Sequence, residues 1–413
     1  MDRISFLPDD FLLHILSLLP TKDVLKTSVL SKRWRNLWKL VHKLEYIDIN
    51  SNAEHWKIVQ FVDRSLLLNK AQVLESLHFK LDRQCKDVDI GFWIRFAVER
   101  GLRELNFDYC FTIRKPSRLP QSLFTCVTLV ALKLKNVSLV DAQFPVCFKL
   151  LKTLHLVEVI FRDDESSRKL LSRCPVLEVL VLERAIHDNV ATFSVMLPSL
   201  QRLVYDSTGL KDAALLMYTP SLKYFKIVDF SYECMVENMP EIVEAHVAVT
   251  CSNITDILRS LVPLKRLLLC LPSESPFPTG TIFHQLVHLE FCTCVTEWDL
   301  LISMLHHSPK LRSLKLNETH GHFSEVPTFH WDEPSIVPET LMFVLETLEW
   351  RNYRGGDRER QLATFILNHS RRLKIATFSP HISRLNRLKV KYKMIKELAH
   401  SSRGSTECEL VFG

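Results

Sequence analysis

Glycine is scarce in this sequence, with nine residues in 413, so no glycine-rich linker or low-complexity segment is present. Cysteine is absent before Cys85, and no two cysteines stand at Cys-x-x-Cys spacing, which removes zinc knuckles and small disulfide frameworks. The eleven cysteines are odd in number and lie mostly in apolar runs, where a free thiol behaves as a small hydrophobe. They indicate a reducing compartment, and cytoplasm and/or nucleus is the expected residence. No window approaches about eighteen consecutive apolar residues, so no membrane span is expected. The apolar run from Phe11 to Leu19 is preceded by Asp9 and Asp10 where a signal peptide carries basic residues, and no small-residue cleavage site follows. Phosphate-cradling loops, Gly-x-Ser-x-Gly elbows and His-Glu-x-x-His pairs are all missing, and nothing supports intrinsic catalysis or a cofactor. The formal charge of +6 is modest and gives no ground for a nucleic-acid partner.

What is present is length and pattern. A chain of 413 residues accommodates two domains or a repeat array. Near the N-terminus, Pro8, Asp9 and Asp10 precede Leu12, Ile15, Leu16 and Leu19 at helical spacing, a helix start favoured by proline and by acids near exposed amides. Pro20 ends that helix; Thr21 is placed to cap a second carrying Val24, Leu25 and Val29, and Ser31 a third carrying Trp34, Leu37, Trp38 and Val41. A unit of this size without cysteine needs a protein partner. Phe6, Leu7, Phe11, Leu13, Leu18 and Leu30 fall outside the three stripes, an apolar surplus that marks an interaction surface.

The stretches Ile4-Ser-Phe-Leu-Pro-Asp-Asp, Ile15-Leu-Ser-Leu-Leu-Pro-Thr-Lys-Asp and Ser28-Val-Leu-Ser-Lys-Arg-Trp-Arg-Asn-Leu-Trp together resemble the F-box of plant F-box proteins, at nearly every position from Ile4 to Trp38. The resemblance implies docking on a Skp-type adaptor and through it a cullin–RING ligase core. The adaptor-facing residues it implies are Leu7, Pro8, Ile15, Leu16, Leu19, Pro20, Val24, Leu30, Lys32, Arg33 and Trp34.

Behind this segment the pattern Leu-x-x-Leu-x-apolar returns from Leu74, Leu102, Leu129, Leu151, Leu177, Leu200, Leu222, Ile242, Leu264, Leu286, Leu311, Leu345 and Leu373. The mean period is about 25 residues, inside the leucine-rich-repeat range. Pro175, Pro198, Pro220, Pro240 and Pro309 each stand two residues before a start, where proline is expected to end a helix and force extended backbone. Connecting helices are expected at Ser166 to Cys174 and Asp299 to His307. A regular repeat carries Asn or Cys three residues after the last apolar position. Here those sites hold Val137, Val159, Ala185, Thr208, Phe230 and Cys294, so packing is expected to hold most of the turns.

From Leu341 the pattern changes. Leu345-Glu-Thr-Leu-Glu-Trp, Arg354-Gly-Gly-Asp and Phe365-Ile-Leu-Asn, followed by a helix at Tyr392-Lys-Met-Ile-Lys-Glu-Leu and a strand at Cys408-Glu-Leu-Val-Phe, resemble the FBD segment that closes many plant F-box proteins. The expected architecture is α/β: a short three-helix F-box over residues 1–45, an irregular leucine-rich-repeat solenoid (horseshoe) over 46–340, and FBD-like repeats with a C-terminal cap over 341–413.

Residues between the apolar strand positions would face a partner: Lys133, Lys135, His155, Glu183, Arg202, Tyr224, Lys226, His246, Glu290, Lys315, Asn317 and Glu349. Their mixed charge suits a protein target, and Tyr224 is the aromatic anchor among them. The bland alternative is a solvated face with the contacts in loops. Two other groups are set aside. Cys292, Cys294, His320, His322 and His330 lack zinc-knuckle spacing. The run Arg371, Arg372, Lys374, Arg384, Arg387, Lys389, Lys391, Lys393 and Lys396 lacks interleaved aromatics and reads as a solvated face. The function so read is target recognition for a Skp–cullin–F-box ubiquitin ligase, this chain being non-catalytic. The rivals are a scaffold or binding module uncoupled from ubiquitin transfer, an enzyme with a deep pocket on the repeats, and a small-molecule sensor.

Overall fold

The computed structural model describes residues 4–47, 55–82, 85–110, 117–140, 146–208, 214–229, 233–250, 253–271, 275–293, 298–318, 331, 333–381, 392 and 395–413. Two compact units divide the chain, Met1–Ala213 and Ala214–Gly413.

The first unit opens with α1 (Asp9–Leu16), α2 (Thr21–Lys26) and α3 (Trp34–Leu37), with 3-10 turns after the second and third. Helix α1 starts after Pro8 with Asp9 and Asp10 in its first turn, where the amide ends favour acids. Leu12, Leu16, Val24, Trp34, Leu37, Trp38 and Val41 form one buried cluster, with Leu7, Leu13 and Leu25 packed at its edge. Thr21 is the first residue of α2 and makes no side-chain cap. Its hydroxyl instead accepts the Glu45 backbone N–H at 2.8 Å. Ser31 does accept the Trp34 N–H, at the 3.5 Å limit.

That Glu45 amide belongs to a strand the periodicity missed, β1 (Lys43–Ile47). Val41, Leu44 and Tyr46 repeat the Leu-x-x-Leu-x-apolar spacing, but valine at the first site hid it, and β1 crosses residue 45, the expected F-box boundary. After α4 (His55–Leu68) come β2 (Ser76–Asp82), α5 (Asp87–Glu99), β3 (Glu104–Cys110), β4 (Ser117–Arg118), α6 (Gln121–Phe124), β5 (Ala131–Lys135), β6 (Val137–Ser138), β7 (Thr153–Val159), α7 (Asp164–Ser172), β8 (Val179–Arg184), β9 (Thr192–Met196) and β10 (Arg202–Asp206). The sheet order in this unit is β1-β2-β3-β5-β7-β8-β10, all pairs parallel. Register puts Leu44, Leu77, Leu105, Leu132, Leu154, Leu180 and Leu203 in one buried row. Tyr46 stacks on Phe79 at 5.4 Å and Phe79 meets Phe107 edge-on at 6.3 Å along the next buried row.

The second unit contains β11 (Ala214–Tyr218), β12 (Tyr224–Asp229), β13 (Glu233–Val236), β14 (Glu244–Val249), α8 (Ile254–Ser260), β15 (Arg266–Cys270), β16 (His288–Cys292), α9 (Asp299–His306), β17 (Ser313–Asn317), α10 (Glu339–Phe343), β18 (Thr347–Tyr353), α11 (Asp357–His369), β19 (Ile375–Pro380) and β20 (Glu409–Phe412). Its main sheet runs β12-β14-β15-β16-β17-β18-β19-β20, again parallel, while β11 pairs with β13. Trp350, Phe378 and Phe412 stack across the FBD-like strands at 6.3 and 6.5 Å. The expected terminal strand is β20. The helix expected after Tyr392 is described at residue 392 and over 395–399, where Leu398 is fully buried.

All thirteen expected starts lead into strands, but the connections divide. Helices α7 and α9 lie where spacing placed them. Before Pro198, Pro220 and Pro240, however, the chain forms β9, β11 and β13, not helices. These repeats are short, and Phe193 with Val195 and Leu215 with Met217 alternate buried and half-exposed positions, the period of a strand. Three of the turns after the strands use packing as expected, with Val137, Val159 and Ala185 buried, whereas Thr208 is exposed and its N–H and hydroxyl donate to Asp206 Oδ1 at 2.9 and 2.5 Å. Phe230 and Cys294 lie outside the described residues. An asparagine does act one position earlier. Asn136 has φ +57 and donates from Nδ2 to the Tyr109 carbonyl at 2.8 Å, and Asn352 has φ +56. Asparagine tolerates this left-handed backbone better than most residues.

Candidate protein-interaction site

The helical unit carries far more exposed apolar surface than a closed core would. Phe6, Phe11, Leu18, Val29 and Leu30 are 82, 63, 71, 84 and 65% exposed, and Ile4, Ile15, Leu19 and Leu40 are also exposed. Helices this short cannot wrap their own side chains, so the apolar surplus remains outside. The expected adaptor residues separate accordingly. Ile15, Leu19 and Leu30 lie at the surface with Pro8 and Lys32 exposed, and Leu7 and Pro20 are half-buried. Leu16, Val24 and Trp34 are core residues, turned inward with Leu12, Leu37, Trp38 and Val41 where the three helices meet. Arg33 is held internally. Its guanidinium donates to Asp9 Oδ1 (2.8 Å from Nε) and to the Leu7 carbonyl (2.6 Å). Val29, expected on the inner side of α2, follows it in a 3-10 turn and points outward.

This unit is fastened to the repeat sheet. Besides Thr21 to Glu45, Asn69 Nδ2 donates to the Val41 carbonyl at 2.8 Å, and the Lys70 N–H to the Lys39 carbonyl at 2.5 Å. Tyr46 O–H and Ser65 Oγ share a bond of 2.7 Å in the interior, where burial raises the phenol pKa.

On the repeat strands, positions alternating with the buried rows face outward. In the first unit Lys133, Lys135, Glu183 and Arg202 are exposed and His155 is half-buried. Lys133 stands beside His155 in register. Burial, then Lys133 and Arg202, lower the His155 pKa to about 4, so its ring is neutral near neutral pH. In the second unit Tyr224, His246, Glu290 and Lys315 come together on the walls of a trough of about 300 Å3. Glu244, Arg266, Leu268, His288 and Ser313, which the sequence selection passed over, complete it. They occupy outward positions of the same strands, so two residues per strand were the available signal. Lys315 Nζ reaches Glu290 Oε2 at 2.8 Å and Asn317 Nδ2 reaches Oε1 at 3.2 Å. Lys226 is half-buried on β12 and Glu349 on β18.

Among the described residues no group of three or more His, Cys, Asp or Glu is placed to hold a metal. Cys292 is buried, while Cys294, His320, His322 and His330 lie outside the described residues, as do Arg384, Arg387, Lys389, Lys391 and Lys393 of the basic run. No helix among the described residues is long and apolar enough to cross a membrane.

Comparison with known proteins fits this arrangement. The family model for the F-box domain matches residues 4–46, that for the leucine-rich repeats of FBD-associated F-box protein At5g56370 matches 90–245, and that for FBD matches 333–378. FBD-associated F-box protein At5g56370 of Arabidopsis thaliana is 66% identical over 424 residues, covering 100% of both chains. The chain belongs to the FBD-associated F-box proteins. F-box/FBD/LRR-repeat protein At5g56420 of the same plant is 48% identical, over 100% of this chain and 99% of that one. Probable FBD-associated F-box protein At1g32375, also from Arabidopsis, is 44% identical over 100% of both. In this FBD-associated F-box protein the F-box match ends at residue 46, inside β1, where the helical unit joins the sheet.

Proposed function

We propose that this protein is the substrate-recognition subunit of a Skp–cullin–F-box ubiquitin ligase. The F-box binds a Skp-type adaptor, and the outward face of a horseshoe-type repeat arc, closed by the FBD segment as a cap, binds a target protein. The observation that carries the reading is the exposed apolar surface of Phe6, Phe11, Ile15, Leu18, Leu19, Val29 and Leu30 on an F-box whose own core is already filled. Exposed apolar surface of this extent on a small unit calls for a partner. The chain itself is non-catalytic and contributes proximity, which is enough to set a transfer rate. Target contacts are drawn from Lys133, Lys135, His155, Glu183, Arg202, Tyr224, Lys226, His246, Glu290 and Lys315. Residence in the cytoplasm and/or nucleus, where such ligases act, belongs to the same reading.

The experiment is co-purification of the full chain with a Skp-type adaptor and a cullin, beside a Leu30→Glu variant. Capture of both by the parent and of neither by the folded variant is the expected result. Capture of the adaptor without cullin favours a scaffold uncoupled from ubiquitin transfer, and no capture by the parent sinks both readings.

A further inference from the structure

The trough on β12–β17 carries two rows of outward residues whose charges are unevenly committed. Glu290 is matched by Lys315 at 2.8 Å and by Asn317 at 3.2 Å. In the other row Arg266 on β15, His288 on β16 and Ser313 on β17 stand side by side in register. No ion pair among the described residues engages Arg266 or its register neighbour Glu244 on β14. Leu268, two residues beyond Arg266 on the same strand, is half-buried and stands in register between His246 on β14 and Glu290 on β16, an apolar patch next to Arg266 in the trough.

We infer that this trough selects an extended protein segment in which an acidic side chain adjoins an apolar one, the carboxylate seating on Arg266, His288 and Ser313 and the apolar group on Leu268. The assignment rests on the sheet face being the target surface and names the chemistry of that target. Guanidinium offers a planar donor fork that fits a carboxylate, the imidazole adds a second donor once protonated, and the hydroxyl a third. Parallel strands set these donors about 4.8 Å apart, close enough for one carboxylate to span two. A basic side chain in the same place meets Arg266, and the nearest uncommitted carboxylate, Glu244, stands on the opposite side of Arg266 from His288 and Ser313, Glu290 being occupied.

Occupancy is coupled to protons. In the free protein burial and then Arg266 lower the His288 pKa, leaving the ring neutral near neutral pH. The charged groups facing it are Arg266 on β15, Glu290 on its own strand and Lys315 on β17, with His246 and Glu244 on β14 further along the trough. An incoming carboxylate offsets Arg266, favours imidazolium and draws in a proton, so binding strengthens as pH falls.

The test measures fluorescence anisotropy of labelled short peptides in which Leu alternates with Glu, Gln or Lys, titrated with the full chain. The Glu peptide is expected to bind about tenfold more tightly than the Gln peptide and the Lys peptide more weakly still. Arg266→Gln is expected to abolish the preference, and Leu268→Ser to weaken all three peptides. Between about pH 8 and about pH 6 the Glu peptide is expected to tighten about threefold or more, and His288→Asn to remove that dependence. Equal affinity for the Glu and Lys peptides, an unchanged preference in Arg266→Gln, or no binding of any peptide overturns the inference. The same preparation is tested for adaptor capture. Loss there sinks the ligase reading alone, since peptide binding needs no adaptor.

Discussion

Leu16 and Leu30 are both leucines of the F-box, yet their burial predicts opposite consequences for truncation to alanine. Leu16 is 0% exposed within a seven-residue core, and deleting a leucine from such a site costs about 2–5 kcal/mol. A small domain holds only about 5 kcal/mol in total, so Leu16→Ala is expected to leave the helical unit largely open. Leu30 is 65% exposed, so its truncation removes only a minor share of the roughly 1.5–3 kcal/mol that full burial provides, under about 1 kcal/mol of stability. In a complex that covers Leu30 the remaining share, about 1–2 kcal/mol, is lost instead, a roughly five- to thirtyfold weaker adaptor affinity. Hydrogen exchange by mass spectrometry reads the first quantity in peptides covering α1–α3. Surface plasmon resonance against the immobilised adaptor reads the second. Fast exchange in Leu16→Ala and native exchange with weakened binding in Leu30→Ala are the expected pair. If Leu30→Ala opens the helices as Leu16→Ala does, or binds the adaptor with unchanged affinity, the separation of core from docking surface is wrong.

Arg184 and Asp188 pair at 3.0 Å with side-chain exposures of 2 and 1%, and the guanidinium also donates to the Val190 carbonyl. Asp188→Asn leaves a buried cation and is expected to cost about 3–5 kcal/mol, seen as lost exchange protection in β8 and β10; a loss below about 1 kcal/mol contradicts it. The His155 pKa is about 4 in the folded protein and near 6.5 when unfolded, so the neutral ring's contribution is complete above about pH 6.5. It is lost as pH falls from there towards 4, because the unfolded chain takes the proton first. Exchange protection of β7 is expected to fall over that interval in the parent and less steeply in His155→Gln. Thr21→Val removes the acceptor of the Glu45 N–H and is expected to cost about 1 kcal/mol with faster exchange in β1. Unchanged exchange there would mean the helical unit does not secure the sheet edge.

Most of the fold was legible because one spacing recurs: apolar residues at the first, fourth and sixth places of each repeat all have to go inside a parallel sheet. Where another residue stood in for leucine, as Val41 did, the eye lost a strand. The connections were less legible, since proline before a strand marks the end of an element without naming it. Alternation of Phe193 and Val195 was the cue for β9, and it was outweighed by the expectation of helices. In the F-box, spacing identified the helices, but which apolar face turns inward depends on how three of them meet. Leu16 and Ile15 are neighbours in sequence and fall on opposite sides of that decision. The trough shows a similar limit. Its floor and walls come from five strands spread over residues 224–315, and only their register shows that Arg266, His288 and Ser313 are adjacent.

Alternation along each strand also bears on how such a receptor changes over generations. Inward leucines are locked by their neighbours, and replacing one costs kilocalories. Outward residues such as Lys133, Arg266 or His288 touch mainly solvent and their lateral partners, and surface substitutions of this kind usually shift stability by less than about 0.5 kcal/mol. Each strand therefore offers two or three freely editable letters on an unedited frame. Because each repeat leans only on those beside it, a new letter in one strand leaves distant strands undisturbed. On the proposed function, a duplicated gene could thus drift toward a new target one outward residue at a time, folding at every step and leaving the N-terminal helices unchanged.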